Sequence, residues 1–193
     1  MLLTGRDSDY DLVDRVLAGD REAFTAIVER HQRRIFNFMY RMVGDRPTAE
    51  DLTQEVFLKA YEALPRFRKA AALSTWLYRI AHNHCLNVLG ERGREVVMTR
   101  ANGTPDANPI ALAADPGASA EQVLEQRELR AIVQEKLNEL TPEHRAILVL
   151  RDIQGLSYDE IATALHLEGG TVRSRLHRAR MELKEKLRRY LEA

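Results

Sequence analysis

Apolar residues recur at helical spacing along most of the chain, and no segment shows the strict alternation of a half-buried strand. The pattern predicts helices over 9–17, 20–42, 49–64 and 74–89. Gly44 and Pro47 are expected to break the chain between the second and third of these helices, and Thr48 to cap the third. The periodicity lapses after Gly90, where prolines and glycines become frequent, as is typical of a linker.

Helical periodicity resumes near residue 120. Two more helices are predicted, over 121–140 and 142–153. Thr141 followed by Pro142 marks the start of the second, because threonine caps helices and proline suits the first helical position. The fold class is therefore all-α. We predict two small helical domains, 1–94 and 120–193, joined by a flexible linker over 95–119.

The stretch 156–187 has the layout of two helices joined by a tight turn. Ser157 and Glu160 have the spacing of a capping box, in which each side chain satisfies an unpaired N–H at the helix start. Gly169 and Gly170 are expected to give the turn its backbone freedom. At about 100° per residue the second helix places its apolar residues on one face. These residues are Val172, Leu176, Ala179, Leu183 and Leu187.

The opposite face of that second helix carries cations and hydrogen-bonding groups. Guanidinium groups suit phosphates and the side chains between them can contact base edges, so this face suits the major groove of DNA. The predicted contacts are Thr171, Arg173, Ser174, Arg175, His177, Arg178 and Arg180. A solvated basic face is the alternative interpretation. Because the 29 basic and 29 acidic residues of the whole chain balance, this basic end suggests a protein partner for the acidic surface elsewhere.

A second group of candidate residues lies on the helix predicted over 74–89 and in the loop before it. Aromatic rings, amides and cations are interleaved there, which gives single-stranded DNA stacking platforms, base-edge contacts and a track of positive charge. The candidates are Arg68, Lys69, Trp76, Tyr78, Arg79, Asn83 and Asn87. Arg79, Asn83 and Asn87 share one helix face because they are four residues apart. Burial in the core is the alternative for Trp76 and Tyr78.

Other kinds of chemistry find little support in the sequence. His82, His84 and Cys85 are close together, but neighbouring helix positions point in different directions, so we expect neither a metal site nor a cofactor. Paired carboxylates, an activated nucleophile and a phosphate-binding glycine loop are all missing from the sequence, so we do not expect an enzyme. The single cysteine and the lack of an apolar signal segment lead us to expect a cytoplasmic protein without membrane insertion.

Three blocks of sequence carry a resemblance to a known family. They are MVGDRPTAEDLTQEVFLKAYEALPRFR, STWLYRIAHNHCLN, and the pair LTPEHRAILVLRDIQGLSYDEIATAL and GTVRSRLHRAR. In this order and spacing, over about 9–190, the chain resembles extracytoplasmic-function (ECF) sigma factors of the sigma-70 family. The resemblance implies an alternative sigma factor, often serving stress responses, that binds core RNA polymerase, recognises upstream and downstream promoter elements and promotes DNA melting.

The resemblance also implies partners and residue roles. DLTQEVF corresponds to the polymerase-binding block, whose contacts with the clamp helices of the beta-prime subunit would come from Asp51, Leu52, Gln54, Glu55 and Phe57. An acidic helix face complements a basic partner. Contact with the beta subunit, promoter DNA and an anti-sigma factor completes the implied set of partners. At the turn of the helix-turn-helix, His166 stands where the family has glycine, and it would need a positive φ there.

A helix-turn-helix regulator whose N-terminal helices dimerise or sense a ligand is the alternative function. It accounts for the C-terminal domain equally well, because that domain would bind two-fold half-sites as a dimer. It leaves the exposed face of Asp51, Gln54 and Glu55 without a role. Binding to core polymerase separates the two hypotheses.

Overall fold

All secondary structure in the computed structural model, which describes residues 8–96 and 120–191, is helical. The helices are α1 (Asp9–Leu17), α2 (Arg21–Val43), α3 (Arg46–Ala63), α4 (Leu73–Val96), α5 (Ala120–Asn138), α6 (Pro142–Leu148), α7 (Tyr158–Leu165) and α8 (Gly169–Leu191). A 3-10 turn, Leu64–Arg66, follows α3, and a π-helical turn, Val149–Ile153, continues α6. The all-α prediction is confirmed. Within the described ranges, no helix is both long and apolar enough to cross a membrane.

The start of α3 differs from the prediction. Asp45, not Thr48, caps the helix, and its carboxylate accepts a hydrogen bond from the Thr48 N–H at 2.9 Å. Pro47 lies in the first turn of α3, where its missing N–H leaves no intrahelical bond unmade. Of the two residues expected to break the chain, only Gly44 does so, because it ends α2 with a φ of +78°.

The capping box at the start of α7 is confirmed, but the turn after that helix is built differently from the prediction. The Ser157 N–H donates to the Glu160 carboxylate at 2.8 Å, and this bond lowers the pKa of Glu160. His166 ends α7 in the left-handed region with a φ of +51°, as its place in the turn requires. Gly169 and Gly170 fall in the first turn of α8 and have no positive φ, so the expectation for these glycines is wrong.

Helix α4 continues to Val96, two residues past the predicted end of the first domain. Positions 95 and 96, which we assigned to the linker, are therefore helical. The rest of the predicted linker, 97–119, lies outside the described residues.

One hydrophobic core runs through the helices on both sides of residues 97–119. Helix α2 packs against α5 and α6, and α4 packs against α7. Gln134 on α5 and Arg41 on α2 also exchange two hydrogen bonds: the Arg41 guanidinium donates to the Gln134 amide oxygen at 3.1 Å, and the Gln134 amide donates to the Arg41 carbonyl at 3.2 Å. The two predicted helical units are therefore docked against each other.

A buried arginine completes this junction. Arg145 on α6 donates to the carbonyls of Leu137, Asn138 and Leu140, at 2.8, 2.7 and 3.1 Å, where α5 ends. It also donates to the carbonyl of Met42 at the end of α2. Carbonyls at a helix end lack intrahelical donors, so one side chain satisfies groups from both helical units. Burial lowers the pKa of Arg145, but a guanidinium remains charged at neutral pH.

Candidate DNA and polymerase interfaces

Helix α8 presents the outer face that its sequence predicts. Val172, Leu176 and Ala179 are buried against the neighbouring helices. On the opposite side four side chains with hydrogen-bonding or charged ends are exposed to solvent: Arg173, Ser174, His177 and Arg178. A helix that follows a short scaffold helix and exposes such a face has the geometry that enters the major groove of DNA.

The other three predicted contacts on α8 are placed differently. Arg180 forms an ion pair with Asp152, with its Nε 3.1 Å from the carboxylate, and this contact raises the pKa of Arg180. It therefore ties α8 to the π-helical turn after α6. Thr171 and Arg175 are half-buried, and the Thr171 carbonyl accepts a hydrogen bond from the Ser174 hydroxyl. Two of the seven predicted contacts, Thr171 and Arg175, are therefore only partly accessible, and Arg180 is exposed but already has an acidic partner.

A cavity of about 520 Å³ lies beside the start of α4. Its walls combine aromatic, aliphatic and cationic side chains, namely Arg66, Phe67, Arg68, Ala70, Ala71, Trp76, Arg79 and Thr163. Trp76 is 7% exposed and packs on Phe67 with ring centroids 5.0 Å apart. Flat rings beside guanidinium groups provide what an unstacked base and its phosphate need. The sequence predicted Arg68, Trp76 and Arg79 here and missed the closing residue, Thr163, because it comes from α7.

Two further candidates from this group are engaged elsewhere. Tyr78 is 2% exposed, and its hydroxyl donates to the Gln154 amide oxygen at 2.9 Å. Burial raises the pKa of Tyr78 to about 12, and the expectation that Tyr78 touches DNA is contradicted in this conformation. Lys69 pairs with Asp14 at 2.6 Å. Asn83 and Asn87 are exposed further along α4, on the face that their spacing predicts.

A groove of about 630 Å³ lies between α2 and α3. Its lining is mostly apolar and comprises Arg21, Phe24, Val28, Gln32, Thr53, Gln54, Phe57, Leu58 and Tyr61. Leu58 is 65% exposed, and Tyr61 is 45% exposed. Tyr61 meets Phe24 edge to face with centroids 4.9 Å apart. An exposed apolar strip with polar ends is a typical docking surface for another protein.

Two of the five predicted polymerase-binding residues line this groove. Gln54 lines the groove and Phe57 forms part of its buried wall. Asp51 is exposed on α3 but does not line the groove. Glu55 lies 2.6 Å from the His84 ring on α4, so it also links α3 to α4. Leu52 is buried in the core and cannot face a partner, which corrects its assignment.

Cys85 and two of the histidines, His31 and His82, are buried. Among the residues described, no group of three His, Cys, Asp or Glu side chains could hold a metal ion. Cys85 is buried in the core, and burial lowers the pKa of both His31 and His82. The Nε2 atom of His31 lies 2.9 Å from the Asp9 carboxylate, and this contact joins α1 to α2.

Comparisons with known proteins show the family to which the chain belongs. The Sigma-70 region 2 family model matches residues 27–95, and the Sigma-70 region 4 model matches residues 130–183. The RNA polymerase sigma-H factor of Pseudomonas aeruginosa is 39% identical over 184 residues, covering 91% of each chain. The ECF RNA polymerase sigma-E factor of Escherichia coli K12 is 38% identical over 187 residues, covering 93% of this chain and 94% of that one. The chain belongs to the ECF sigma factors of the sigma-70 family.

Two solved structures are similar to it in fold. The sigma factor RpoE, solved in complex with the anti-sigma factor NepR from Bartonella quintana, superposes with a TM-score of 0.65 at 26% identity, covering 86% of this chain and 96% of that one. CnrH, solved with the cytosolic domain of CnrY, gives a TM-score of 0.66 at 24% identity, covering 94% and 97%, and is similar in fold.

Membership decides between the two functions left open by the sequence. The region 2 match covers α3, whose exposed Asp51, Gln54 and Glu55 a helix-turn-helix regulator leaves without a role. This ECF sigma factor is an alternative RNA polymerase sigma factor, with region 2 over α2–α4 and region 4 over α5–α8.

Proposed function

We propose that this sigma factor is a non-catalytic initiation factor with three separate working surfaces. The groove between α2 and α3 binds a helix of core RNA polymerase, the outer face of α8 reads the upstream promoter element, and the cavity beside Trp76 holds an unstacked base of the downstream element. The observation that carries the proposal is this cavity, where three guanidinium groups surround aromatic walls on a region 2 helix.

Capture of a base can account for promoter melting in energetic terms. Unstacking and unpairing one base costs a few kcal/mol, and stacking on an aromatic side chain returns about 1–3 kcal/mol per base. Arg66, Arg68 and Arg79 add attraction for the phosphates beside the base. The cavity therefore stabilises a melted strand relative to the duplex, without any chemical step.

Arg79→Ala is expected to slow promoter melting by about tenfold while leaving assembly with core polymerase unchanged. The substitution removes a cation from the cavity wall, and the groove that binds polymerase lies on other helices. Permanganate footprinting of unpaired thymines on a promoter transcribed by the reconstituted holoenzyme measures the effect.

Arg130→Ala provides the control, since Arg130 bonds Gln126 on α5, away from the cavity. Arg130→Ala should melt the promoter at the normal rate, and a pre-melted bubble template should restore transcription by Arg79→Ala. If Arg79→Ala melts the promoter at the normal rate, the cavity does not hold the downstream strand.

The outer face of α8 predicts a different defect. Arg178→Ala is expected to weaken holoenzyme binding to its upstream element by about 1–3 kcal/mol and to relax sequence choice at one base pair, because Arg178 is exposed at the centre of the face. Competition between the upstream duplex and its single-base variants measures both effects.

Arg188→Ala is the matched control on the same helix, because Arg188 pairs with Glu185 near the helix end. An equal loss of affinity by Arg178→Ala for every duplex would mean that Arg178 contacts only phosphate.

We also propose a negative regulator of the anti-sigma type and a site of action in the cytoplasm. The support is the similarity in fold and sequence to RpoE, which was solved in complex with the anti-sigma factor NepR. Co-purification of partners from the source cells, followed by transcription assays with and without the recovered partner, tests this part of the proposal.

A further inference from the structure

Helix α1 lies before the region 2 match, and one of its side chains contacts the loop that forms part of the cavity beside Trp76. The Tyr10 ring stacks on Phe67 with centroids 6.4 Å apart, and its hydroxyl donates to the Ala71 carbonyl at 3.3 Å. The Lys69 ammonium lies 5.8 Å from the centre of the same ring. Tyr10 therefore touches the loop at three alternate positions.

The loop has few contacts of its own that could fix its shape. Residues 70–72 are alanines, and Lys69 has a left-handed backbone with a φ of +54°. This conformation is strained for a residue other than glycine and persists only where surrounding contacts enforce it. Asp14 of α1 supplies one such contact, because its carboxylate pairs with the Lys69 ammonium at 2.6 Å. Arg68 and Ala70, on either side of Lys69, line the cavity, so the backbone of Lys69 decides where they lie.

Helix α1 is itself held on the rest of the N-terminal helices, so it can support a loop. Leu12 is buried in the core. At the start of the helix the Asp9 carboxylate accepts a hydrogen bond from the Arg30 guanidinium at 2.7 Å and lies 2.9 Å from the His31 ring. Both partners belong to α2, so α1 is fixed to α2 at the position next to Tyr10.

We propose that Tyr10 and Asp14 of α1 are positioning residues for the cavity that captures the downstream base, and that Lys69 holds the loop instead of contacting DNA. The inference rests on the proposed role of the cavity. Tyr10, Phe67 and Trp76 form a row of three rings, since Phe67 also packs on Trp76. A binding site needs side chains that hold their productive positions before the ligand arrives. Helix α1 supplies that support without lining the cavity itself.

Tyr10→Ala should weaken capture of the downstream strand about tenfold, because it removes an aromatic pair with Phe67 and a cation–π contact with Lys69. The probe is a fork template from a promoter that the holoenzyme transcribes, duplex at the upstream element and single-stranded at the downstream element. Tyr10→Phe keeps the ring and loses only the hydrogen bond to Ala71, so its affinity should lie within about twofold of the natural value. Leu17→Ala is the matched control, because Leu17 is an exposed apolar residue at the other end of α1.

Asp14→Ala distinguishes a loop-holding role of Lys69 from direct contact with DNA, because the two roles predict effects of opposite sign. If Lys69 contacts phosphate, removal of the competing carboxylate frees the ammonium and tightens fork binding. If Lys69 holds the loop, loss of its partner weakens fork binding, by about twofold, since an exposed ion pair contributes little. The Asp14 side chain is 62% exposed, so the substitution should leave folding intact.

A second readout follows the cavity wall without DNA. Trp76 is the single tryptophan, and Phe67 packs on it, so Tyr10→Ala should increase acrylamide quenching of its fluorescence in the free chain. Tyr10→Phe and Leu17→Ala should leave the quenching unchanged. Affinity for core polymerase should be the same in every variant, because none of these residues lines the groove between α2 and α3. A loss of core affinity equal to the loss of fork binding would mean general damage to the domain and would overturn the positioning role.

Arg79→Ala in the same fork assay separates failure of this inference from failure of the proposed function. If Arg79→Ala weakens fork binding and Tyr10→Ala does not, the cavity works without α1 and the positioning role is overturned. If both variants bind normally, the cavity does not hold the downstream strand, and the proposed function fails together with this inference. Tighter fork binding by Asp14→Ala would make Lys69 a phosphate contact and would overturn its role in holding the loop.

Discussion

Replacing Leu58 with arginine is expected to weaken binding of core RNA polymerase by about 2 kcal/mol or more, about thirtyfold. Leu58 is the most exposed apolar residue in the groove between α2 and α3, and Arg21 already lies at that groove. The substitution would remove the apolar contact of Leu58, and the new arginine would have to be desolvated beside the like charge of Arg21. Surface plasmon resonance with immobilised core polymerase measures the affinity directly.

The chain offers a matched control for this change. Leu17, at the end of α1, is 49% exposed and lies outside the groove, so Leu17→Arg should leave polymerase affinity unchanged. The free energy of unfolding of both variants should lie within about 0.5 kcal/mol of that of the natural chain, because neither side chain is buried. Normal polymerase binding by a folded Leu58→Arg chain would show that the groove is not the docking surface and that Asp51 and Gln54 act elsewhere.

Local signals in the sequence were sufficient for the helices and for the face of α8. Ser157 and Glu160 cap α7 as their spacing requires, and the spacing of Val172, Leu176 and Ala179 correctly gives the buried side of α8. These features depend on hydrogen bonds and periodicity within a few residues. The cap of α3 was misplaced because Asp45 and Thr48 are both good capping residues within one turn, and only the backbone conformation selects between them.

Features that depend on distant parts of the chain could not be predicted in the same way. The sequence predicts Tyr78 as a DNA contact because it lies among other aromatic and cationic residues. Its hydroxyl instead bonds Gln154, 76 residues away, so Tyr78 belongs to the interface between the two halves of the chain. Leu58 is an apolar residue outside the buried face of α3, which is a local sign of a docking surface. Helical periodicity alone does not single it out. Arg180 lies among basic residues, and only the position of Asp152, 28 residues earlier in the chain, gives it an ion-pair partner.

Arg145 is a cation beside the apolar residues of α6. Its contribution to stability depends on the carbonyl groups at the ends of two other helices. Its guanidinium donates to three carbonyls at the end of α5 and to the Met42 carbonyl on α2. Without it, several buried acceptors would lose their donors, and each buried acceptor left without a donor costs about 1–3 kcal/mol. Some of that cost would be recovered by water entering the space.

Arg145→Ala is therefore expected to lower the free energy of unfolding by about 3–5 kcal/mol, a large part of the total for a chain of this size. Arg145→Lys should also be destabilising, because an ammonium cannot reach acceptors on two helices as a planar guanidinium does. Arg46→Ala, which breaks an exposed pair with Glu50, should cost at most about 0.5 kcal/mol. Urea titrations followed by circular dichroism measure all three. Equal stabilities of Arg145→Ala and Arg46→Ala would mean that water replaces the guanidinium at every carbonyl, and that Arg145 does not hold the two halves of the chain together.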